Sequence, residues 1–97
     1  MMDAVKYDLL LQSMMTKTQK KNAAKIDALN IKLARWRVSV VFWLGADPHA
    51  AVYVNRAKKR TAWCKGKEDA TARALRVARE ELADLEEHGG DALIFKN

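Results

Sequence analysis

Residues 36–44 form the sequence Trp-Arg-Val-Ser-Val-Val-Phe-Trp-Leu, in which every second side chain is apolar. The apolar positions of one parity are Trp36, Val38, Val40, Phe42 and Leu44. Successive side chains of a β-strand point to opposite faces of a sheet, so this alternation predicts a long strand with one face in the core.

Two further strands are predicted after this one. Asp47 followed by Pro48 favours a type I turn, which makes a hairpin the natural continuation. A second strand is predicted at residues 51–55, a basic turn at 56–59 and a third strand at 60–65. Residues 31–65 are therefore predicted to form a three-stranded antiparallel β-meander.

Helices are predicted on both sides of the meander. Leucine and alanine recur at three- and four-residue intervals after Gly66, which predicts a long amphipathic helix over residues 67–88. Glu68 and Asp69 lie in the first turn of this predicted helix. The same spacing predicts a helix at residues 3–15 and, around residues 24–29, either a second helix or a continuation of the first.

These elements define the predicted architecture. The fold class is α+β: a helical segment at 1–30, the meander, one long C-terminal helix packed on the sheet, and an apolar tail at 91–97. The length of 97 residues predicts a single domain over 1–97 with a small core.

Strand parity divides the meander into two predicted faces. The inner face comprises Trp36, Val38, Val40, Phe42, Leu44, Val52, Val54, Ala62 and Cys64. The outer face comprises Arg35, Arg37, Ser39, Val41, Trp43, Tyr53, Asn55, Thr61, Trp63 and Lys65. We expect the inner face to pack on the last helix, and the outward aromatic residues either to stay accessible or to receive the apolar stripe of the N-terminal helix.

The positive charge is concentrated in two parts of the chain. The 18 basic and 12 acidic residues give a net charge of +6. Residues 17–37 contain seven bases and one acid, and residues 55–67 contain six bases and no acid. Cations bind phosphates, and aromatic rings stack on bases. We therefore expect the outer face of the meander and its basic turn to bind nucleic acid or an acidic partner. The candidate residues are Arg35, Arg37, Trp43, Tyr53, Arg56, Lys58, Lys59, Arg60, Trp63, Lys65 and Lys67.

Few residues suit catalysis or metal binding. The histidines His49 and His88 lie far apart, and with Cys64 as the one cysteine they match no zinc-ligand spacing. The single thiol allows no intramolecular disulfide, and the longest apolar run is far shorter than a membrane span. We therefore expect a non-enzymatic, cytoplasmic protein without a metal, a cofactor or a membrane contact.

Two families of nucleic-acid-binding domains share this order of elements. With Trp36-Arg37-Val38 opening the first strand and residues 65–70 entering the helix, the meander and last helix resemble the arm-binding domain of tyrosine-recombinase integrases. That resemblance implies a sheet inserted in a DNA major groove, with Arg35, Arg37, Tyr53 and Trp63 toward the bases.

With a preceding helix, the order also resembles the double-stranded RNA-binding domain. That family has a lysine cluster at the start of its last helix, where this chain has Glu68 and Asp69. The departure argues against the RNA duplex that this resemblance implies.

Two functions of different classes are compatible with these features. The first is a small basic protein that binds DNA or RNA largely independently of sequence, using the basic and aromatic sheet face and the basic turn. The alternative is a small phage-type inhibitor or adaptor that binds an acidic surface of a host defence or nucleic-acid-processing complex. A homodimer is a further expectation, formed through the apolar tail or an edge of the meander.

Overall fold

A computed structural model describes residues 15–88. The elements in chain order are α1 (Lys17–Leu33), a 3-10 turn (Ala34–Trp36), β1 (Val38–Trp43), β2 (His49–Val54), β3 (Ala57–Trp63) and α2 (Ala70–His88). The three strands form one antiparallel sheet in the order β1-β2-β3. The predicted α+β arrangement with a meander is confirmed, while the N-terminal helix expected before residue 15 and the tail at 91–97 lie outside the described residues.

Helix α1 begins earlier than its apolar residues indicated. The Thr16 hydroxyl accepts a hydrogen bond from the Gln19 backbone N–H, and the Gln19 side chain accepts one from the Thr16 N–H. This reciprocal capping box satisfies two backbone donors that the first turn of a helix leaves free. The polar run that follows Thr16 is therefore helical, and Ile26 and Leu33 form the buried positions of α1.

The first strand is shorter than the alternation predicted. Trp36 belongs to the 3-10 turn, and Arg37 adopts a left-handed backbone with φ of 59°, which interrupts any strand. Pairing consequently begins at Val38 and ends at Trp43, and the predicted inward residue Leu44 is exposed. Trp36 still packs against the core, although from the turn and not from the sheet.

The turn between β2 and β3 is also shorter than predicted. It consists of Asn55 and Arg56, whose φ angles of 53° and 68° are those of a tight type I′ hairpin. A register shift between Val52 and Tyr53 then places Lys58 opposite Tyr53 and Arg60 opposite Val52. This β-bulge divides the basic run between the two faces of the sheet.

Both helices pack on the inner face of the sheet. The core joins Ile26 and Leu33 of α1 with Val40 and Val52 of the sheet and Val77 of α2, all nearly inaccessible to solvent. Because both apolar stripes are buried on the same side, neither α1 nor α2 covers the opposite face of the sheet.

Helix α2 starts at Ala70, three residues later than predicted. Asp69 is its N-cap: one carboxylate oxygen accepts hydrogen bonds from the Ala72 N–H and the Thr71 hydroxyl. Burial alone would raise the pKa of Asp69, but hydrogen bonds from Thr71, Ala72 and Gln19 outweigh it and lower that pKa. Glu68 lies outside the helix, where a hydrogen bond from Arg76 lowers the pKa of its carboxyl.

Asn30 connects α1 to the edge of the sheet. Its amide nitrogen donates to the Val40 carbonyl at 2.9 Å, and its amide oxygen accepts from the Val40 N–H at 2.9 Å. The side chain thus provides both hydrogen bonds that a neighbouring strand would offer at this position. An exposed strand edge favours association with other chains, so Asn30 both docks α1 and protects β1.

Replacing Asn30 with Ala should lower the free energy of unfolding by about 2 kcal/mol, because two hydrogen bonds of about 1 kcal/mol each are lost. Chemical denaturation would measure the change. Asp27→Ala is the matched control, since Asp27 is an exposed residue of the same helix. An Asn30→Ala protein as stable as the control would show that the edge contact does not hold α1 in place.

Candidate nucleic-acid interface

The face of the sheet opposite the helices consists of three rows of side chains. The register aligns Trp43, His49 and Trp63 in the first row; Val41, Ala51 and Thr61 in the second; and Ser39, Tyr53 and Lys58 in the third. We call these nine residues the outer face. The predicted outward positions of Ser39, Val41, Trp43, Tyr53, Thr61 and Trp63 are confirmed. None of the nine is acidic.

The first row holds two exposed indole rings. Trp43 is 56% exposed and Trp63 is 58% exposed, one on each edge strand. Between them, the His49 ring lies 5.0 Å from the Trp63 ring and is tilted by 54°. His49 Nδ1 donates to the Asp47 carbonyl at 2.7 Å, which ties the ring to the hairpin loop. The row therefore presents aromatic surface across the width of the sheet.

Gly45 determines where the Trp43 ring can lie. A Cβ atom on Gly45 would lie 2.9 Å from Trp43 Nε1, closer than such atoms approach in folded proteins. The absent side chain thus lets the indole rest against the loop after β1.

A shallow depression separates the aromatic row from the third row. It has a volume of about 150 Å³ and is lined by Val41, Phe42, Trp43, His49, Ala51, Tyr53 and Lys58. We call it the Ala51 depression. Ala51 forms its floor, because its methyl group is smaller than the neighbouring side chains of Val41 and Thr61 in the same row. A cavity of about 150 Å³ can hold one six-membered ring.

A second concave feature adjoins the third row where the 3-10 turn and the start of β1 meet the β2–β3 turn. This groove has a volume of about 690 Å³ and is lined by Ala34, Arg37, Val38, Ser39, Asn55 and Arg56. We call it the Arg37–Arg56 groove. The Asn55 N–H donates to the Arg37 carbonyl at 3.0 Å, which holds the two arginine-bearing segments together. Within residues 15–88, neither arginine forms an ion pair with an acidic side chain.

Lys59 and Arg60 are held on the helix side of the sheet. Arg60 Nη2 lies 3.0 Å from Glu81 Oε1, and Lys59 Nζ lies 4.0 Å from Glu81 Oε2. The Glu81 side chain is only 9% exposed, so the two cations compensate a largely buried charge. The structure thus separates these two candidate residues from the outer face.

The other predicted basic residues lie outside the outer face as well. The Arg35 guanidinium stacks 5.4 Å from the centre of the Trp36 ring, beside the 3-10 turn. Lys65 and Lys67 are exposed in the loop between β3 and α2, at the end of the sheet where Trp63 lies. The predicted strand positions of Arg35, Arg37, Asn55 and Lys65 were wrong, since all four lie in turns or loops.

A second basic surface lies on α1 and contains none of the candidate residues. It consists of the exposed lysines of α1: Lys17, Lys20, Lys21, Lys25 and Lys32. Four-residue spacing of Lys17, Lys21 and Lys25 places them on one side of the helix, and this spacing was available in the sequence.

Other chemically reactive side chains of the described residues lie in the loop after β3 and at the end of α2. Burial raises the pKa of the Cys64 thiol, and the nearby Glu68 and Asp69 carboxylates raise it further, so the thiolate is disfavoured. Asp84, Glu87 and His88 bring ligand atoms within 4.8 Å of one another at the end of α2, but all three are exposed. Exposed acidic residues commonly lie this close without binding an ion.

Comparisons with known proteins identify no relative of this chain: no family model, no curated protein and no solved structure matches it. Among the described residues, no helix combines the length and the apolar character that a membrane crossing requires.

Arg60→Ala should lower the free energy of unfolding by about 1 kcal/mol, because it leaves the largely buried Glu81 with only the more distant Lys59. Thermal denaturation at neutral pH would measure the loss. Lys58→Ala is the control two positions earlier and should change stability by less than about 0.5 kcal/mol. Equal stability of the two variants would contradict a structural role for the Glu81 contact.

Proposed function

We propose that this chain is a small, non-enzymatic nucleic-acid-binding protein that uses its outer face largely independently of base sequence. The observation that carries the proposal is the combination, on the face that neither α1 nor α2 covers, of two exposed indole rings and cations that are not neutralised within the described part of the chain. The interface comprises Trp43, Tyr53, Lys58 and Trp63, with Arg37 and Arg56 at its border.

The electrostatic part of the proposal rests on how the charges are separated. The acidic residues of α2 lie on the other side of the sheet, where Glu81 binds Lys59 and Arg60. Lys58 points from the outer face, and the Arg37–Arg56 groove adjoins it through Ser39. A polyanion that reaches these cations releases its own counterions, and this release drives binding without reading any base.

The aromatic part of the proposal adds contact with the bases. Every base has a flat face, so stacking on an exposed indole tolerates any sequence and contributes about 1–3 kcal/mol per base. Trp43 and Trp63 are the most exposed aromatic side chains among the described residues. Stacking combined with phosphate contacts is the pattern expected of binding that does not depend on sequence.

The same tryptophans support a second candidate, the phage-type inhibitor or adaptor. Tryptophan is enriched among the residues that dominate protein–protein binding, and Val41 extends the exposed apolar area beside Trp43. In this case the cations border the contact and steer an acidic protein surface toward it. A partner that remains bound after nuclease treatment, and is lost with Trp43→Ala, would favour this alternative over nucleic acid.

Neighbouring lysines on opposite sides of the sheet provide the test. Lys58→Ala should weaken binding to a DNA or RNA oligonucleotide about threefold to tenfold at low salt and make its affinity less dependent on salt, because one phosphate contact is lost. Lys59→Ala should change affinity less than twofold, because Lys59 faces Glu81. Fluorescence anisotropy across a salt series would measure both variants.

Trp43→Ala in the same series should weaken binding about tenfold or more, through the loss of stacking. Wild-type protein that shows no affinity at low salt would contradict the proposed function. Equal losses of affinity in Lys58→Ala and Lys59→Ala would contradict the assignment of nucleic-acid binding to the outer face.

A further inference from the structure

We infer that the outer face binds single-stranded nucleic acid, and that it holds one nucleotide unit with the base in the Ala51 depression and a backbone phosphate in the Arg37–Arg56 groove. This inference rests on the proposed function and specifies the strand form and the arrangement of the ligand.

The depression requires a base that is free of its neighbours. Its volume of about 150 Å³ admits one ring between Trp43 and Tyr53, above the Ala51 methyl group. In a duplex each base is paired and stacked on both sides, so removing one from the stack has an unfavourable free energy. A single strand presents its bases without that barrier, and such bases stack readily on aromatic side chains.

The groove is suited to a phosphate group because two arginine residues line it. Arg37 and Arg56 line it together with the Ser39 hydroxyl and Asn55, which offer further hydrogen-bonding groups. Arginine binds phosphate oxygens through two parallel N–H donors, an arrangement that lysine cannot provide. Two cationic residues lining one groove repel each other, and an anion bound there would relieve that repulsion.

The backbone at the groove gives an independent reason to assign it a function. Arg37, Asn55 and Arg56 account for three of the four non-glycine residues with positive φ in the described part of the chain. Asparagine is common at the first position of a type I′ turn, but the second position strongly favours glycine. An arginine held there is strained, and such strain is concentrated at ligand-binding sites in folded proteins.

The two features are separated by a distance suited to a nucleotide. Successive rows on a sheet face are two residues apart along each strand, which is about 6.6 Å. The depression is centred on the row of Val41 and Ala51, and the groove begins in the next row, at Ser39. Tyr53 and Lys58 share the row of Ser39 and also line the depression, so the sugar that joins base and phosphate would pass over this row.

Binding of matched oligonucleotides tests the inference directly. A single-stranded oligonucleotide and its duplex of the same length would be titrated against the full chain by fluorescence anisotropy at several salt concentrations. We expect at least tenfold tighter binding of the single strand. Arg56→Gly should reduce that affinity about threefold to tenfold and lower the salt slope by about 0.7, as expected for one phosphate contact in a single strand.

The same substitution should leave the fold more stable. Glycine relieves the left-handed backbone at residue 56, so the melting temperature of Arg56→Gly should rise by a few degrees while affinity falls. Arg79→Ala, which removes an exposed arginine of α2, is the control and should change neither quantity appreciably. Opposite changes in stability and affinity separate a lost phosphate contact from damage to the fold.

The possible results distinguish the two levels of the account. Equal affinity for duplex and single strand would overturn this inference while the proposed function stood. An unchanged salt slope for Arg56→Gly would overturn the assignment of the phosphate to the groove. Absence of binding to either oligonucleotide would overturn the proposed function itself, and this inference with it.

Discussion

One-sided packing of the helices determines what the rest of the molecule can do. Ile26 and Leu33 of α1 and Val77 of α2 bury their side chains against the same face of the meander, together with Val40 and Val52. Hydrophobic burial drives this arrangement, and the two hydrogen bonds of Asn30 to Val40 fix where α1 meets the sheet edge. The opposite face is therefore covered by neither helix.

The charge distribution follows from the same packing. Glu81 lies on the buried side of α2 and draws Lys59 and Arg60 toward the helices. The bulge in β3 shifts the alternation of side chains between the two faces of the sheet. As a result, Lys58 is the one of these three neighbours that belongs to the outer face. On the outer face, Lys58 thus lies beside exposed aromatic rings. On the helix side of the sheet, the charges of Lys59 and Arg60 are compensated by Glu81.

The sequence predicted the fold class and most of the outer face, because alternation is a direct consequence of strand geometry. The errors have local causes that alternation does not record. Arg37 continues the pattern but adopts a left-handed backbone, and the bulge at β3 changes which lysine faces outward. The start of α1 depended on the capping box of Thr16 and Gln19, a signal in the sequence that apolar periodicity overlooked. The depression and the groove depend on the register between strands, which no single strand reveals.

Among the described residues, the outer face with its bordering arginines and the lysine-bearing side of α1 both carry exposed cations, and they differ in whether aromatic rings accompany the charge. Amide chemical-shift mapping of the isotope-labelled chain during titration with an unlabelled single-stranded oligonucleotide would identify the surface in contact. The account predicts that the largest shifts occur at Ser39, Trp43, Ala51 and Lys58 and around the Arg37–Arg56 groove. Shifts confined to α1, with the outer face unchanged, would contradict it.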